Sequence, residues 1–283
     1  MYYENEDVQT EQTEYPWLIF KLCGEYFTFT SELVSSIMML PQNIVPMPNS
    51  PQYVRGIFDL RGKIIPLIEL RRLFGMKSLT EEYQEFADML EARKQDHLHW
   101  VKELERSVKQ NEPFTLATDP HQCAFGKWYD NFESDLHTIN HHMRKIDEPH
   151  TKLHQTALEV EECKQNCDDC ERDECLKKVF GKLSDEYVPQ IVSLLDEAKE
   201  LFKIDFHEMV IVLEKDDQYF GIMADEIVSV EDLEEIGSVD NMGGSSESDF
   251  ISGVRKSKSV DKSILVIDES ALISTITGKK KVL

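Results

Sequence analysis

The sequence predicts an α+β protein in which a helical segment interrupts a β-rich domain. Aromatic and β-branched runs with a period of two fill the first and last parts of the chain. Near Met76 the apolar period changes to 3.6, and it stays so until strand-like patterning returns at Met209. Taking out residues 77–206 leaves 153 of the 283 residues, still a whole domain by size.

The elements follow in order. Residues 1–14 hold five acidic side chains and no Lys or Arg, the composition of a disordered leader. Trp17-Leu18-Ile19-Phe20-Lys21-Leu22 and Tyr26-Phe27-Thr28-Phe29-Thr30, separated by Cys23-Gly24-Glu25, read as a hairpin. Ser31 to Met39 fits either a short helix capped by Ser31 or a further strand. Prolines 41, 46, 48 and 51 mark loops, and Val54 to Phe74 holds two strand-like runs around Arg61-Gly62-Lys63. Residues 79–110 read as one long helix with Leu79, Tyr83, Phe86, Leu90, His97, Trp100, Val101 and Leu104 on its apolar side. Asp119 fits an N-cap and Pro120 the first position of another helix. Residues 133–147, 149–178 and 183–204 read as further helices, the last kinked or interrupted at Pro189. Val210 to Leu213 and Tyr219 to Ala224 form a hairpin around Lys215-Asp216-Asp217, residues 241–249 a flexible loop, and Ile264 to Ile267 a late buried strand.

Composition excludes several classes of partner. The net charge of −23, from 54 acidic and 31 basic residues, repels nucleic acid and anionic membranes. No apolar run approaches the ~20 residues of a membrane span, and Met1-Tyr2-Tyr3-Glu4 lacks a signal-peptide pattern. These features predict a cytoplasmic protein with no direct membrane insertion. In that setting its six cysteines are expected as thiols or metal ligands rather than disulfides.

Within the helical segment, Cys123 has His97 upstream and His150 and His154 downstream. One thiolate and three imidazoles complete a tetrahedral zinc shell. His150 and His154, at i and i+4, share a helical face. Cys123 falls in the first turn after Asp119-Pro120, where the helix dipole favours a thiolate. His99 competes with His97, and the equally spaced pair His137/His141 competes with His150/His154. Four protein ligands close a zinc site to water, and His207-Glu208 lacks the second histidine of a metalloprotease motif, so the sequence offers no catalytic residues.

The flanking β-rich parts resemble CheW-like domains. The resemblance is carried by Val54-Arg55-Gly56-Ile57-Phe58-Asp59-Leu60-Arg61-Gly62-Lys63-Ile64-Ile65-Pro66-Leu67-Ile68-Glu69-Leu70-Arg71. Tyr219-Phe220-Gly221-Ile222-Met223-Ala224-Asp225-Glu226-Ile227-Val228-Ser229-Val230 and Phe250-Ile251-Ser252-Gly253-Val254 add to it. It implies a pair of small SH3-like β-barrels, formed by 15–76 and 207–283, that couple chemoreceptor cytoplasmic tips to the histidine kinase CheA. By the same resemblance Arg61 matches a receptor-facing arginine, and Val34 and Ile37 match apolar positions on that face. A guanidinium suits such a contact because its planar donors stay charged; the plainer alternative is an arginine that only ties down its turn. Ser36 departs from the family, which often has an acidic residue there.

The helical segment, 77–206, resembles the chemoreceptor zinc-binding (CZB) domain through His97-Leu98-His99-Trp100, Cys123-Ala124-Phe125-Gly126-Lys127-Trp128-Tyr129 and His150-Thr151-Lys152-Leu153-His154. The resemblance implies a helical bundle holding one Zn2+ on His97, Cys123, His150 and His154. It favours His150/His154 by their separation from the cysteine block and leaves Trp100, Phe125 and Trp128 as packing. His121 and His142 are expected to be exposed or just outside the shell.

Cys163, Cys167, Cys170 and Cys175 lie outside both resemblances. The first three, at i, i+4 and i+7, form one stripe if the segment is a single helix, with Cys175 about 120° away. Structural thiols, a second metal site and redox-active disulfides all remain open for them. Acidic neighbours disfavour their thiolates.

Taken together, the sequence predicts a non-catalytic coupling protein whose zinc-binding bundle senses zinc or oxidants through Cys123, the one oxidisable ligand, and shifts the placement of the two barrels. A purely structural zinc is the alternative within that class, and a zinc-dependent hydrolase the alternative outside it.

Overall fold

The computed structural model describes residues 15–134, 136–205, 208–238 and 250–278. The expected leader, the 241–249 loop and His207 lie outside them. The chain divides into two compact units, Met1–Ser78 with His207–Leu283, and Leu79–Phe206.

The β unit begins with β1 (Trp17–Leu22), β2 (Glu25–Thr30), β3 (Val34–Met39), β4 (Val54–Leu60), β5 (Lys63–Glu69) and the single turn α1 (Leu70–Leu73). Ser31–Leu33 is one 3-10 turn that leads into β3, so both alternatives for that segment are realised in part.

The helical unit follows: α2 (Leu79–Gln110), α3 (Ala124–Tyr129), α4 (His137–Met143), α5 (Asp147–Asn166), α6 (Asp169–Lys182) and α7 (Val188–Asp205). The chain then returns to the β unit with β6 (Met209–Lys215), β7 (Gln218–Ala224), β8 (Glu226–Glu231), β9 (Glu234–Ser238), β10 (Ile251–Lys256), β11 (Ser263–Ile267) and α8 (Glu269–Thr277).

Among the described residues two sheets form, ordered β8-β1-β2-β11-β10-β9 and β3-β6-β7-β5-β4. Each sheet mixes strands from before and after the helical unit, so neither part of the chain completes a sheet alone. Neither ladder closes on itself among those residues, and the two mixed sheets fit the expected SH3-like folds. The side-chain period of two sorts residues between cores. Leu18, Phe20 and Leu22 of β1 meet Ile211 and Leu213 of β6 in a core shared by both sheets, while Val210 and Val212 face a separate core with Phe58 and Leu67. Three hairpins turn on paired left-handed residues: Cys23-Gly24, Arg61-Gly62 and Asp216-Asp217. Two positive φ values in succession give the type I′ turn that matches strand twist.

In the helical unit α2 spans the residues its periodicity predicts. Three expected helices differ. The one expected over 133–147 is realised only as α4, followed by a 3-10 turn over Arg144–Ile146, and Asp147 already begins α5. Asp119 and Pro120 start only a 3-10 turn, Pro120–Gln122, and α3 begins afresh after Cys123. The helix expected over 149–178 breaks between α5 and α6. Cys167 is extended there (φ −109°, ψ 143°), and the Asp168 carboxylate caps α6 by accepting from Glu171 N at 3.0 Å. An aspartate that caps a new helix competes with continuing the old one.

That break removes the expected cysteine stripe. It folds α5 and α6 into a hairpin that joins Cys163 to Cys175 as a disulfide, with Cα atoms 5.8 Å apart and so within bridging reach. The expectation of thiols or metal ligands is thereby overturned for this pair. Cys167 is a free, half-buried thiol, and the Cys170 side chain is outside those described. At Pro189, which has no N–H to donate, the preceding turn widens to a π-turn, Leu183–Tyr187.

Candidate metal centre

Three separate segments of the helical unit converge on one point. His97 projects from the middle of α2, His150 and His154 from the first two turns of α5, and Cys123 from the residue that caps α3. Their ligand atoms all lie within 4.8 Å of one another. Cys123 Sγ is 3.3 Å from His150 Nε2. The edges of a tetrahedral zinc shell with sulfur and nitrogen ligands are about 3.3–3.6 Å, so the set needs only a small contraction.

The local backbone explains each placement. Cys123 has extended dihedrals (φ −71°, ψ 164°), and its Sγ accepts from Gly126 N at 3.1 Å, as a capping side chain does. Gly126 is required there, because a Cβ on it would lie 1.9 Å from the Pro120 carbonyl oxygen. The Nδ1–H of His97 donates to the Arg93 carbonyl at 2.7 Å, and that of His154 to the Ala117 carbonyl at 3.0 Å. A carbonyl only accepts, so both rings carry their proton on Nδ1 and turn the bare Nε2 inward. Neither Nε2 has a hydrogen-bond partner, although both are buried. Trp100 Nε1 donates to the same Ala117 carbonyl at 2.7 Å. Two buried acceptors aimed at a shared point beside a thiol are what a cation-binding shell requires and what a packed core avoids.

The electrostatics agree. Burial, and then the neighbouring His97 and His154, push the His150 imidazole down to about 2. Burial first and His97 second take His154 to about 4, and burial lowers His97 as well. The rings are therefore neutral ligands at neutral pH. Burial raises the Cys123 thiol, so a thiolate here needs a cation beside it. Phe125 and Trp100, both almost fully buried, wall the site edge-on, with Phe125 4.9 Å from His150 and Trp100 5.0 Å from His154. A cavity of about 310 Å³ opens beside the site, lined in part by Asp96, His99 and Gln122.

The competing histidines are not part of the converging set. His99, His137 and His141 are exposed. His121, also exposed, pairs with Asp130 at 3.0 Å. His142 corrects the expectation for it: it is buried and its Nε2 donates to the Leu194 carbonyl at 2.8 Å, a contact within the bundle away from the shell. The carbonyls of Arg93 and Ala117 orient two ligands yet carry no sequence signal, since every residue has a carbonyl.

In the β unit, Arg61 is exposed at the tip of the β4–β5 turn in a left-handed conformation (φ 55°). Val34 and Ile37 sit on edge strand β3, opposite Leu213 and Ile211. The bulge between Val34 and Ser36 puts both on the same face of β3, although their spacing of three would otherwise separate them; Val34 packs against the shared core, whereas Ile37 is 39% exposed. Two strands, β6 and β7, stand between β3 and β5, so the structure does not bring Arg61 next to the other two.

A family model of the CheW-like domain matches residues 16–108, and one of the chemoreceptor zinc-binding domain matches 97–161. Among curated proteins, a chemotaxis protein CheW of Treponema pallidum is 46% identical over 41 residues, 14% of this chain and 24% of that protein. One of Thermotoga maritima is 26% identical over 83 residues, 29% of this chain and 52% of that protein. The matched stretches thus span about a quarter and about half of those relatives. The scaffolding protein TtCheW from Thermoanaerobacter tengcongensis, a solved structure, aligns over 90% of this chain and 89% of its own at 14% identity and a TM-score of 0.39. This chain carries a CheW-like domain and a chemoreceptor zinc-binding domain.

Proposed function

We propose that the protein is a cytoplasmic chemotaxis adaptor that couples chemoreceptor tips to the histidine kinase CheA, with coupling adjusted by zinc occupancy or oxidation at Cys123. The observation that carries this reading is the inward-facing set His97, Cys123, His150 and His154 within a chain that also matches CheW-like domains. Arg61, Val34 and Ile37 are the proposed interaction residues. No helix among the described residues is long and apolar enough to cross a membrane, so such an adaptor would meet receptors from the aqueous side.

Zinc, when bound, supplies a positive centre that ties three segments of the bundle together. His97, His150 and His154 are already neutral and two of them already oriented, so little proton release is needed at the rings. Cys123 supplies the one negative ligand and the one oxidisable atom. Hypochlorous acid would transfer oxygen to its thiolate, giving a sulfenic acid and chloride and removing the charge that helps hold the cation. Four protein ligands leave no open position for an activated water, which supports a non-catalytic role.

The test is kinase coupling in reconstituted receptor arrays, comparing wild type with Cys123→Ala at measured metal content. A graded change in wild type across zinc and hypochlorous acid titrations, lost in the variant, is expected. Identical curves for the two proteins would reject the sensor. The burial of the ligands favours a second reading, a structural zinc, which chelation would expose as unfolding without any graded response.

A further inference from the structure

We propose that Cys163 and Cys175 form a second thiol redox site, one that needs no metal and exchanges with neutral or cationic small thiols. Four observations lead to it. The two residues are bonded across the α5–α6 hairpin. Cys163 is 2% exposed, whereas Cys175 is half-buried, so an incoming thiol has one sulfur to attack. The bond closes a separation of only 12 residues, so by chain entropy it orders the fold less than a bond closing a long loop would. Finally, residues 159–178, on both sides of the pair, hold Glu159, Glu161, Glu162, Asp168, Asp169, Glu171, Asp173 and Glu174 against Lys164, Arg172, Lys177 and Lys178, a net charge of −4. That field repels anionic thiols and slows their approach to Cys175.

The step balances without a bound cofactor. A small thiolate attacks Cys175 Sγ, forming a mixed disulfide and breaking the bond to Cys163, which leaves as a thiolate and takes a proton. A second small thiolate attacks the outer sulfur of the mixed disulfide and frees Cys175, which is protonated in turn. Two small thiols are oxidised to one small disulfide while the protein disulfide is reduced to two thiols. Run backwards, a small disulfide restores the bond. This site does not rest on the zinc reading: Cys123 belongs to another segment and is a free thiol.

The test is to equilibrate the full chain in graded mixtures of mercaptoethanol and hydroxyethyl disulfide, quench with acid, alkylate, and count blocked cysteines by peptide mass spectrometry. The Cys163–Cys175 pair is expected to pass from fully oxidised to fully reduced along one curve, approached from either side, with helical circular dichroism unchanged. Cys175→Ser abolishes the transition, and Cys167→Ser keeps it. Mercaptoethanesulfonate at matched thiolate concentration is expected to reduce the pair about fivefold more slowly than mercaptoethanol, with the gap closing at about 0.5 M salt.

A bond that opens only when denaturant unfolds the bundle would make it a structural staple and overturn the proposal. So would a pair that stays reduced in every mixture, a transition lost in Cys167→Ser, or zinc content that drops by one equivalent in Cys175→Ser. Equal rates for the neutral and anionic thiols would overturn the assignment of the partner class.

Discussion

The two units bury polar groups in opposite ways. In the β unit the Arg71 guanidinium, 4% exposed, meets Asp225 in two hydrogen bonds of 2.6 and 2.7 Å, and Asp225 also accepts from Cys23 N at 2.7 Å. In the helical unit two buried imidazole nitrogens meet nothing. The first arrangement is satisfied by the chain itself; the second is satisfied only by something added. The difference separates a unit whose buried Arg71 is met by its own residues from one that leaves two buried nitrogens unpartnered. It also predicts that the two units respond to different perturbations.

Metal removal should break the comparison most strongly. Structural zinc sites stabilise their domains by about 10 kcal/mol at neutral pH. Titrating zinc into metal-free protein should raise the unfolding midpoint of the helical unit and leave the β unit unmoved, as followed by hydrogen exchange of α2 and α5 against β1 and β6. His154→Ala removes one of the two orphaned nitrogens, so its response to zinc should be largely lost. A helical unit that unfolds at the same midpoint with and without zinc would show that the four side chains are packing rather than ligands.

How much of this was legible in the sequence depends on the range of the interaction. The long helix around His97 and the i, i+4 pair on α5 are local patterns, and the structure places them as periodicity does. The alternation of Val210, Ile211, Val212 and Leu213 likewise sorts these residues into two cores. The α5–α6 break was not legible, because Asp168 reads equally well as one more exposed acidic residue in a helix; only the hairpin shows it as a cap. Pairing Cys163 with Cys175 depends on that break. The orientation of His97 and His154 was hidden for a different reason: backbone carbonyls set it, and they are the same at every position.

The next largest effect lies in the β unit. Breaking a buried charged pair by removing one partner costs about 3–5 kcal/mol, since the other charge is left in a poorly solvated place. Asp225→Ala should therefore lower β-unit stability by that amount in chemical denaturation, with or without zinc. The double variant Arg71→Met/Asp225→Ala should recover part of the loss, because no buried charge remains unpaired. If the single variant were as stable as wild type, the scaffold would not depend on its internal pairing and the contrast between the units would weaken.

The smallest effect comes from a residue of the same region that is imperfectly paired. Burial first, and the negative Glu69 second, raise the Glu208 carboxyl from 4.5 to about 6. Below pH 4.5 it is protonated in both folded and unfolded chains and contributes no pH dependence. Between pH 4.5 and 6 the folded protein keeps the proton that the unfolded chain has released, so stability falls as pH rises through this window. Above it the ionised, partly desolvated group costs about 2 kcal/mol. A glutamine in its place would mimic the neutral acid at every pH. Glu208→Gln should therefore gain about 2 kcal/mol of β-unit stability over wild type at pH 7.5 relative to its difference at pH 4. Comparing the two pH values cancels the other carboxylates, which titrate alike in both proteins. An unchanged difference between pH 4 and pH 7.5 would mean that Arg55 and Arg71 already neutralise Glu208, and that the β unit is as fully paired there as it is at Asp225.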